Sequence, residues 1–90
     1  MVLFLILAEA QIANKLYKQA LNSLNEAEKL NSNISEIYFA KSNVYLKISQ
    51  LKNAKTALET GLKIEPNNYK AIFQLGNISL MEKNYLEAIE

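Results

Sequence analysis

The sequence contains no cysteine, no histidine and no arginine, and each absence removes a class of site. Without cysteine there is no disulfide framework and no thiolate to bind a metal or act as a nucleophile. Without histidine, the commonest general base and the commonest transition-metal ligand are both missing. Without arginine, no planar guanidinium is present to bind phosphate or carboxylate through two parallel hydrogen bonds. We therefore expect a protein that is not an enzyme and that uses no metal and no cofactor.

Excess charge and helix-breaking residues are also scarce. Ten lysines against nine glutamates leave a net charge of +1, which provides no basic surface for nucleic acid or for an anionic membrane. One proline, two glycines and a hydrophobic share of 50% leave little room for disorder. We expect a single folded domain over residues 1–90 that neither binds nucleic acid nor inserts into a membrane.

The longest apolar run, residues 2–8, reads VLFLILA. It is too short to cross a bilayer, which needs roughly 20 apolar residues. A secretory signal is the alternative, but such a signal carries positive charge ahead of its apolar stretch, and the first lysine is Lys15. We interpret the run as the start of a packed helix. The lack of cysteine and of an export segment favours the cytoplasm of a bacterium or an organelle.

What the sequence does contain is an internal repeat. Ala20, Ala54 and Ala88 stand 34 residues apart, and so do Leu24 and Leu58. A fixed period of this size indicates that one small unit is stacked repeatedly. Each full unit holds two segments of helical periodicity joined by a short turn, and short connections make successive helices antiparallel neighbours. We predict an all-α, right-handed solenoid of stacked helical hairpins.

Turn residues set the predicted boundaries, which are a first repeat at 1–34, a second at 35–68 and a partial third at 69–90. Asn14-Lys15 is predicted to form the turn of the first hairpin. Pro66 cannot continue a helix, and Asn67 or Asn68 can cap the one that follows. A further turn is predicted at Lys83-Asn84, after which a sixth helix would begin.

The 34-residue unit resembles the tetratricopeptide repeat, whose pattern is W-x2-L-G-x2-Y in the first helix, A-x3-F in the second and a proline after it. In the second unit the matching residues are Tyr38, Tyr45, Ala54, Leu58, Gly61 and Pro66. Lys41 and Ser42 depart from the Leu-Gly pair. The match continues through the chain in one register, and the resemblance implies a superhelical scaffold for protein–protein interaction.

Small residues recur at fixed places in this register. Ala8, Ser42 and Gly76 share one position in the first helix of each unit, and Ala20 and Ala54 share one in the second. We predict that these positions let the two helices of a hairpin approach closely while larger apolar side chains fill the space around them.

In proteins of this family the first helices of successive units line a concave groove that accepts an extended peptide or a helix. Carried over by position, the resemblance implies these groove residues: Leu5, Glu9, Ile12, Phe39, Asn43, Leu46, Lys70, Phe73, Asn77 and Leu80. Carboxamides both donate to and accept from a peptide backbone, and aromatic side chains supply affinity in an apolar slot. The expected partner is an apolar-rich peptide or amphipathic helix lying across Phe39 and Phe73.

One subclass of the family holds the C-terminal carboxylate of chaperones with lysine and asparagine side chains. In this sequence the corresponding positions hold Leu5, Glu9, Ala40, Lys70 and Gln74. Only Lys70 fits that role, so we do not expect this ligand.

Two other functions remain open. An RNA-binding array of related hairpins would read one base per repeat, but it requires a basic groove with polar reading positions. In a purely structural role, Phe39 and Phe73 would pack on the helices of a longer array or on a second copy. Because the first helix is almost wholly apolar and the sequence ends within the predicted sixth helix, we expect part of a longer array or self-association through the ends.

Overall fold

The computed structural model describes the backbone of residues 2–89 and the side chains of residues 3–83. Five helices follow one another: α1 (Val2–Ala13), α2 (Tyr17–Leu30), α3 (Ser35–Lys47), α4 (Leu51–Ile64) and α5 (Tyr69–Ile89). No strand occurs between residues 2 and 89. The pairs α1–α2 and α3–α4 are helical hairpins, which confirms the predicted all-α repeat fold. None of the described helices is both long and apolar enough to span a membrane.

The two hairpin turns share one geometry. Lys15 and Ser49 both have a φ of 62°, in the left-handed region. At each turn the next amide, that of Leu16 or Gln50, donates to the carbonyl five residues earlier at 2.8 Å. This pattern is a Schellman-type helix end, where glycine is favoured because a Cβ crowds the backbone at positive φ. The predicted turn at Asn14-Lys15 is confirmed, and the same turn recurs 34 residues later.

The turn predicted at Lys83-Asn84 is wrong, because α5 continues as one helix to Ile89. The turns at Lys15 and Ser49 force a residue with a Cβ into a strained conformation, and packing of a whole returning helix offsets that strain. Only residues 84–90 follow Lys83 in this sequence, and a helix that short is not stable without extensive packing. Continuing α5 keeps the backbone hydrogen bonds without any turn. The side chains of Ala88 and Ile89, which we expected to pack as in the other units, lie outside the described residues.

Helix α3 lies between two hydrophobic clusters. The first cluster joins α1, α2 and α3 through Ala8, Ala20, Leu24, Ala27, Ile37 and Val44. The second joins α4 and α5 through Ala54, Leu58, Ala71 and Ile78, with Phe39, Tyr45 and Leu46 of α3 packed against it. Because α3 contributes to both clusters, it connects the first hairpin to α5.

The predicted small-residue positions are buried wherever a hairpin is present. Ala8, Ala20, Ser42 and Ala54 are all fully buried. The Ser42 hydroxyl has no hydrogen-bond partner, so this position makes use of small size rather than polarity. Gly76 occupies the same position of α5 but is exposed, and a Cβ built there would meet nothing within 4 Å. No returning helix covers that face of α5 among the described residues.

The closest approach between α3 and α4 is at Phe39 and Gly61. A Cβ added to Gly61 would lie 2.5 Å from Cε1 and 2.8 Å from Cδ1 of Phe39. The aromatic ring therefore lies directly against the backbone of α4, and only a glycine leaves room for it.

Polar contacts tie the first hairpin to α3. The Tyr38 hydroxyl donates to the carbonyl of Ser32 at 2.6 Å, and burial together with the Glu28 carboxylate raises the pKa of Tyr38. The Lys41 ammonium pairs with Glu28 on α2 and lies 5.9 Å from the centre of the Tyr38 ring. These contacts fix the angle between the hairpin α1–α2 and α3.

The two glycines should respond oppositely to alanine. Gly76→Ala should raise the free energy of unfolding by about 1 kcal/mol, because alanine has the higher helix propensity and the site is open. Gly61→Ala gains the same propensity but drives a methyl group into the Phe39 ring, an overpacking penalty of about 1–3 kcal/mol. Denaturant unfolding of both variants should therefore rank Gly76→Ala above Gly61→Ala by that penalty. Equal stabilities would contradict the contact between Phe39 and Gly61.

Ser49→Gly tests the hairpin turn. The substitution should raise the free energy of unfolding by about 1 kcal/mol, because glycine adopts positive φ without a steric clash. Glu59→Gly, at an exposed helical position of α4, is the matched control and should lower it by about 1 kcal/mol. If urea denaturation shows the same loss for both variants, Ser49 does not occupy the left-handed region.

Candidate interaction groove

A groove of about 440 Å³ opens between α1, α3 and α5. Its lining residues are Glu9, Ile12, Glu36, Phe39, Ala40, Asn43, Asn68, Lys70, Ala71 and Gln74. It begins near the C-terminal half of α1, crosses α3 and ends at the first turns of α5. The first helices of the units therefore form one continuous surface.

The structure brings together half of the residues predicted for the groove, which are Glu9, Ile12, Phe39, Asn43 and Lys70. Leu5 and Leu46 are half-buried and pack against the first and second hydrophobic clusters. Phe73, Asn77 and Leu80 lie on the exposed surface of α5, outside the lining, with Phe73 70% and Leu80 62% exposed. No described helix lies beside that part of α5, so these three positions have no neighbour to form a groove with.

Five lining residues were not among those predicted: Glu36, Ala40, Asn68, Ala71 and Gln74. The period itself could have found some of them, because Glu36 stands 34 residues before Lys70 and Ala40 stands 34 before Gln74. Asn68 and Ala71 carry no such signal. They reach the groove only because α5 begins beside α3.

The floor of the groove is apolar. The Phe39 ring packs against Gly61 on one side and is half-buried, so its remaining surface faces the groove. Ile12 and Ala40 are also half-buried, and Ala71 is buried in the second cluster. An apolar side chain of a partner placed here would be removed from water on several sides, which is the main source of binding free energy.

Charged side chains stand at the edge of this floor. Glu9 on α1, Glu36 on α3 and Lys70 on α5 are all exposed. Between residues 3 and 83 the ion pairs are Lys29–Glu26, Lys41–Glu28 and Lys55–Glu82, and none of them involves a groove residue. The two carboxylates and the ammonium thus share a groove without neutralising each other.

Asn68 holds the end of the groove in place. Its Oδ1 accepts from the amide of Ala71 at 3.0 Å, which confirms the predicted cap of α5. Its Nδ2 donates to Oε2 of Glu65 at 3.1 Å, and the Ser35 hydroxyl donates to the same oxygen at 3.3 Å. This network joins the start of α3, the end of α4 and the start of α5. It therefore sets the position of Lys70 relative to α3.

The remaining polar groups of the groove suit a polypeptide ligand. Asn43 and Gln74 present carboxamides, which both donate and accept hydrogen bonds, as a peptide backbone requires. Among the residues that the structure describes, no three carboxylate or other metal-binding side chains come together in a cluster that would hold a metal ion.

Comparison with known proteins places the central unit in a family. Residues 35–68 match the family described as tetratricopeptide repeat, and this range contains α3, α4 and the turn after them. Sperm-associated antigen 1 of Mus musculus is 38% identical over 64 residues, and that of Rattus norvegicus 36% over 64, each covering 71% of this chain. The Homo sapiens protein is 30% identical over 78 residues, or 87% of this chain. The chain spans only 7–8% of the length of these relatives.

Proposed function

We propose that this chain, which belongs to the tetratricopeptide repeat family, binds another polypeptide in the groove between α1, α3 and α5. Tetratricopeptide repeats generally act as non-catalytic modules of protein–protein interaction. The observation that supports this site is an apolar floor bordered by carboxamides and charged groups. The proposed ligand is an apolar-rich peptide or an amphipathic helix.

The dimensions of the groove suit a short segment. Packed helices are spaced by about 8–10 Å, so the path from α1 across α3 to α5 is roughly 16–20 Å long. An extended chain advances about 3.3 Å per residue, and five or six residues therefore cover it. A ligand of that length can place one apolar side chain over Phe39 and Ala40 and use its backbone to reach Asn43 and Gln74.

The charges of the groove argue against RNA as the ligand. Two of its three charged side chains are the carboxylates Glu9 and Glu36, and they would repel a phosphate backbone. RNA-binding grooves instead carry clustered basic side chains. The absence of a cofactor and the cytoplasmic location that the composition favours stay predictions.

A substitution at Asn43 tests the groove. Peptides that bind the purified chain would first be selected from a displayed random library, and their affinities measured by fluorescence anisotropy. Asn43→Arg fills the groove with a long side chain and should weaken these peptides by about tenfold, the cost of losing one good contact. Asn22→Arg, at an exposed position of α2 outside the groove, is the matched control and should leave their affinity unchanged.

The opposite pattern would overturn the site. If Asn22→Arg weakens the selected peptides while Asn43→Arg does not, the binding surface lies elsewhere. If no peptide binds and single-stranded RNA binds with strong salt dependence, the RNA-binding alternative replaces this proposal.

An exposed apolar face on α1 favours a second candidate, a structural role through self-association. Leu3, Ile6 and Leu7 are 80%, 58% and 47% exposed on neighbouring turns of the helix. A contiguous apolar patch of this kind is typical of an interface. In this role α1 would pack against α1 of a second copy.

Sedimentation velocity tests that role. The chain should associate as its concentration rises, and Ile6→Glu should keep it monomeric because the interface would have to bury a carboxylate. Leu30→Glu, at an exposed apolar position at the end of α2, should associate as the unmodified chain does. A monomer at every concentration, or equal association of all three proteins, would exclude an interface through α1.

A further inference from the structure

The charged side chains of the groove follow a spatial order. Because α3 packs with α1 in the first cluster and with α5 in the second, it lies between them. Glu9 and Glu36 thus stand on the α1 and α3 side, and Lys70 stands on the α5 side. One end of the groove is acidic and the other is basic.

The groove itself does not cancel this polarity. Glu36 and Lys70 occupy the same position of successive units, yet no ion pair joins them. The Ser35–Glu65–Asn68 network holds the start of α5 in place next to α3, so Lys70 cannot shift far toward Glu36 without breaking it. A charge at the edge of an apolar surface is less screened by water than one on a fully solvated face. The separated charges are therefore available to a ligand.

We propose that the groove selects peptides in which a basic and an acidic side chain flank a short apolar segment. This proposal rests on the peptide-binding role proposed above and adds the charge pattern of the ligand. The basic side chain lies against Glu9 and Glu36, the apolar segment lies over Phe39 and Ala40, and the carboxylate lies against Lys70. From the width of the groove, the two charges stand about five residues apart.

The same geometry disfavours ligands with a single sign of charge. A peptide with two acidic ends meets repulsion at Glu9 and Glu36, and one with two basic ends meets repulsion at Lys70. Because the groove carries two carboxylates and one ammonium, we expect the order of affinity to be the charge-split peptide, then the basic one, then the acidic one.

The probes are acetylated, amidated hexapeptides, so that only side chains carry charge. The first has the sequence Lys-Ala-Leu-Phe-Ala-Glu, and two partners replace its lysine or its glutamate with glutamine. Each is titrated into the isotope-labelled chain, and NMR shift changes report both the affinity and the residues affected. Such titrations remain informative at millimolar dissociation constants.

Pairing the peptides with protein variants isolates each charge contact. Replacing the peptide lysine should weaken binding to the unmodified chain by about two- to fivefold, the range for an exposed ion pair. The same replacement should have little effect on Glu36→Gln, because the contact is already absent. Lys70→Gln should likewise remove the effect of the peptide glutamate. Glu59→Gln, on the exposed face of α4, is the control and should preserve both effects.

Each outcome is decisive. If the three peptides bind the groove with equal affinity, or if their differences persist in Glu36→Gln and Lys70→Gln, the charge pattern is wrong and the groove remains a peptide site. If the charge-split peptide fails to bind while library-selected peptides do, the charge pattern is also wrong. If neither these peptides nor the library yields a ligand for the groove, the proposed function itself fails.

Discussion

Contact between the Phe39 ring and the backbone at Gly61 is the constraint on which the second hairpin and the groove both depend. Because Gly61 has no Cβ, α3 and α4 approach closely enough for the ring to lie on the helix backbone. The ring then covers part of the second cluster and leaves its other surface in the groove. One residue thus serves packing and recognition together, so a change that displaces the ring alters both.

The groove follows from the way α3 is shared. A helix that packs on two clusters must carry apolar residues on more than one face, and α3 does so with Ile37 and Val44 on one cluster and Phe39 on the other. Hydrogen bonds among Ser35, Glu65 and Asn68 then fix where α5 starts. The groove is therefore a consequence of stacking, and its charges lie at positions that stacking leaves exposed.

Local sequence signals predicted those parts of the fold that depend on local chemistry. The period and the buried alanines gave the helices and hairpins, and Asn68 gave a cap, because these features repeat or act within a few residues. The turn at Lys83 failed because its strain must be offset by a packed returning helix, which no local pattern reports. For the groove, Glu9 and Lys70 followed from position in the repeat. Asn68 and Ala71 did not, because their place depends on how α5 meets α3.

Distances between Phe39 and Gly61 in solution test this account most directly. In a nuclear Overhauser spectrum, the aromatic protons of Phe39 should show strong cross-peaks to the α-protons of Gly61, since ring carbons lie in van der Waals contact with the helix backbone there. The same ring should show cross-peaks to Ala71, whose methyl belongs to the second cluster. A Phe39 ring without cross-peaks to Gly61 would contradict the close approach of α3 and α4, and with it the shape of the groove.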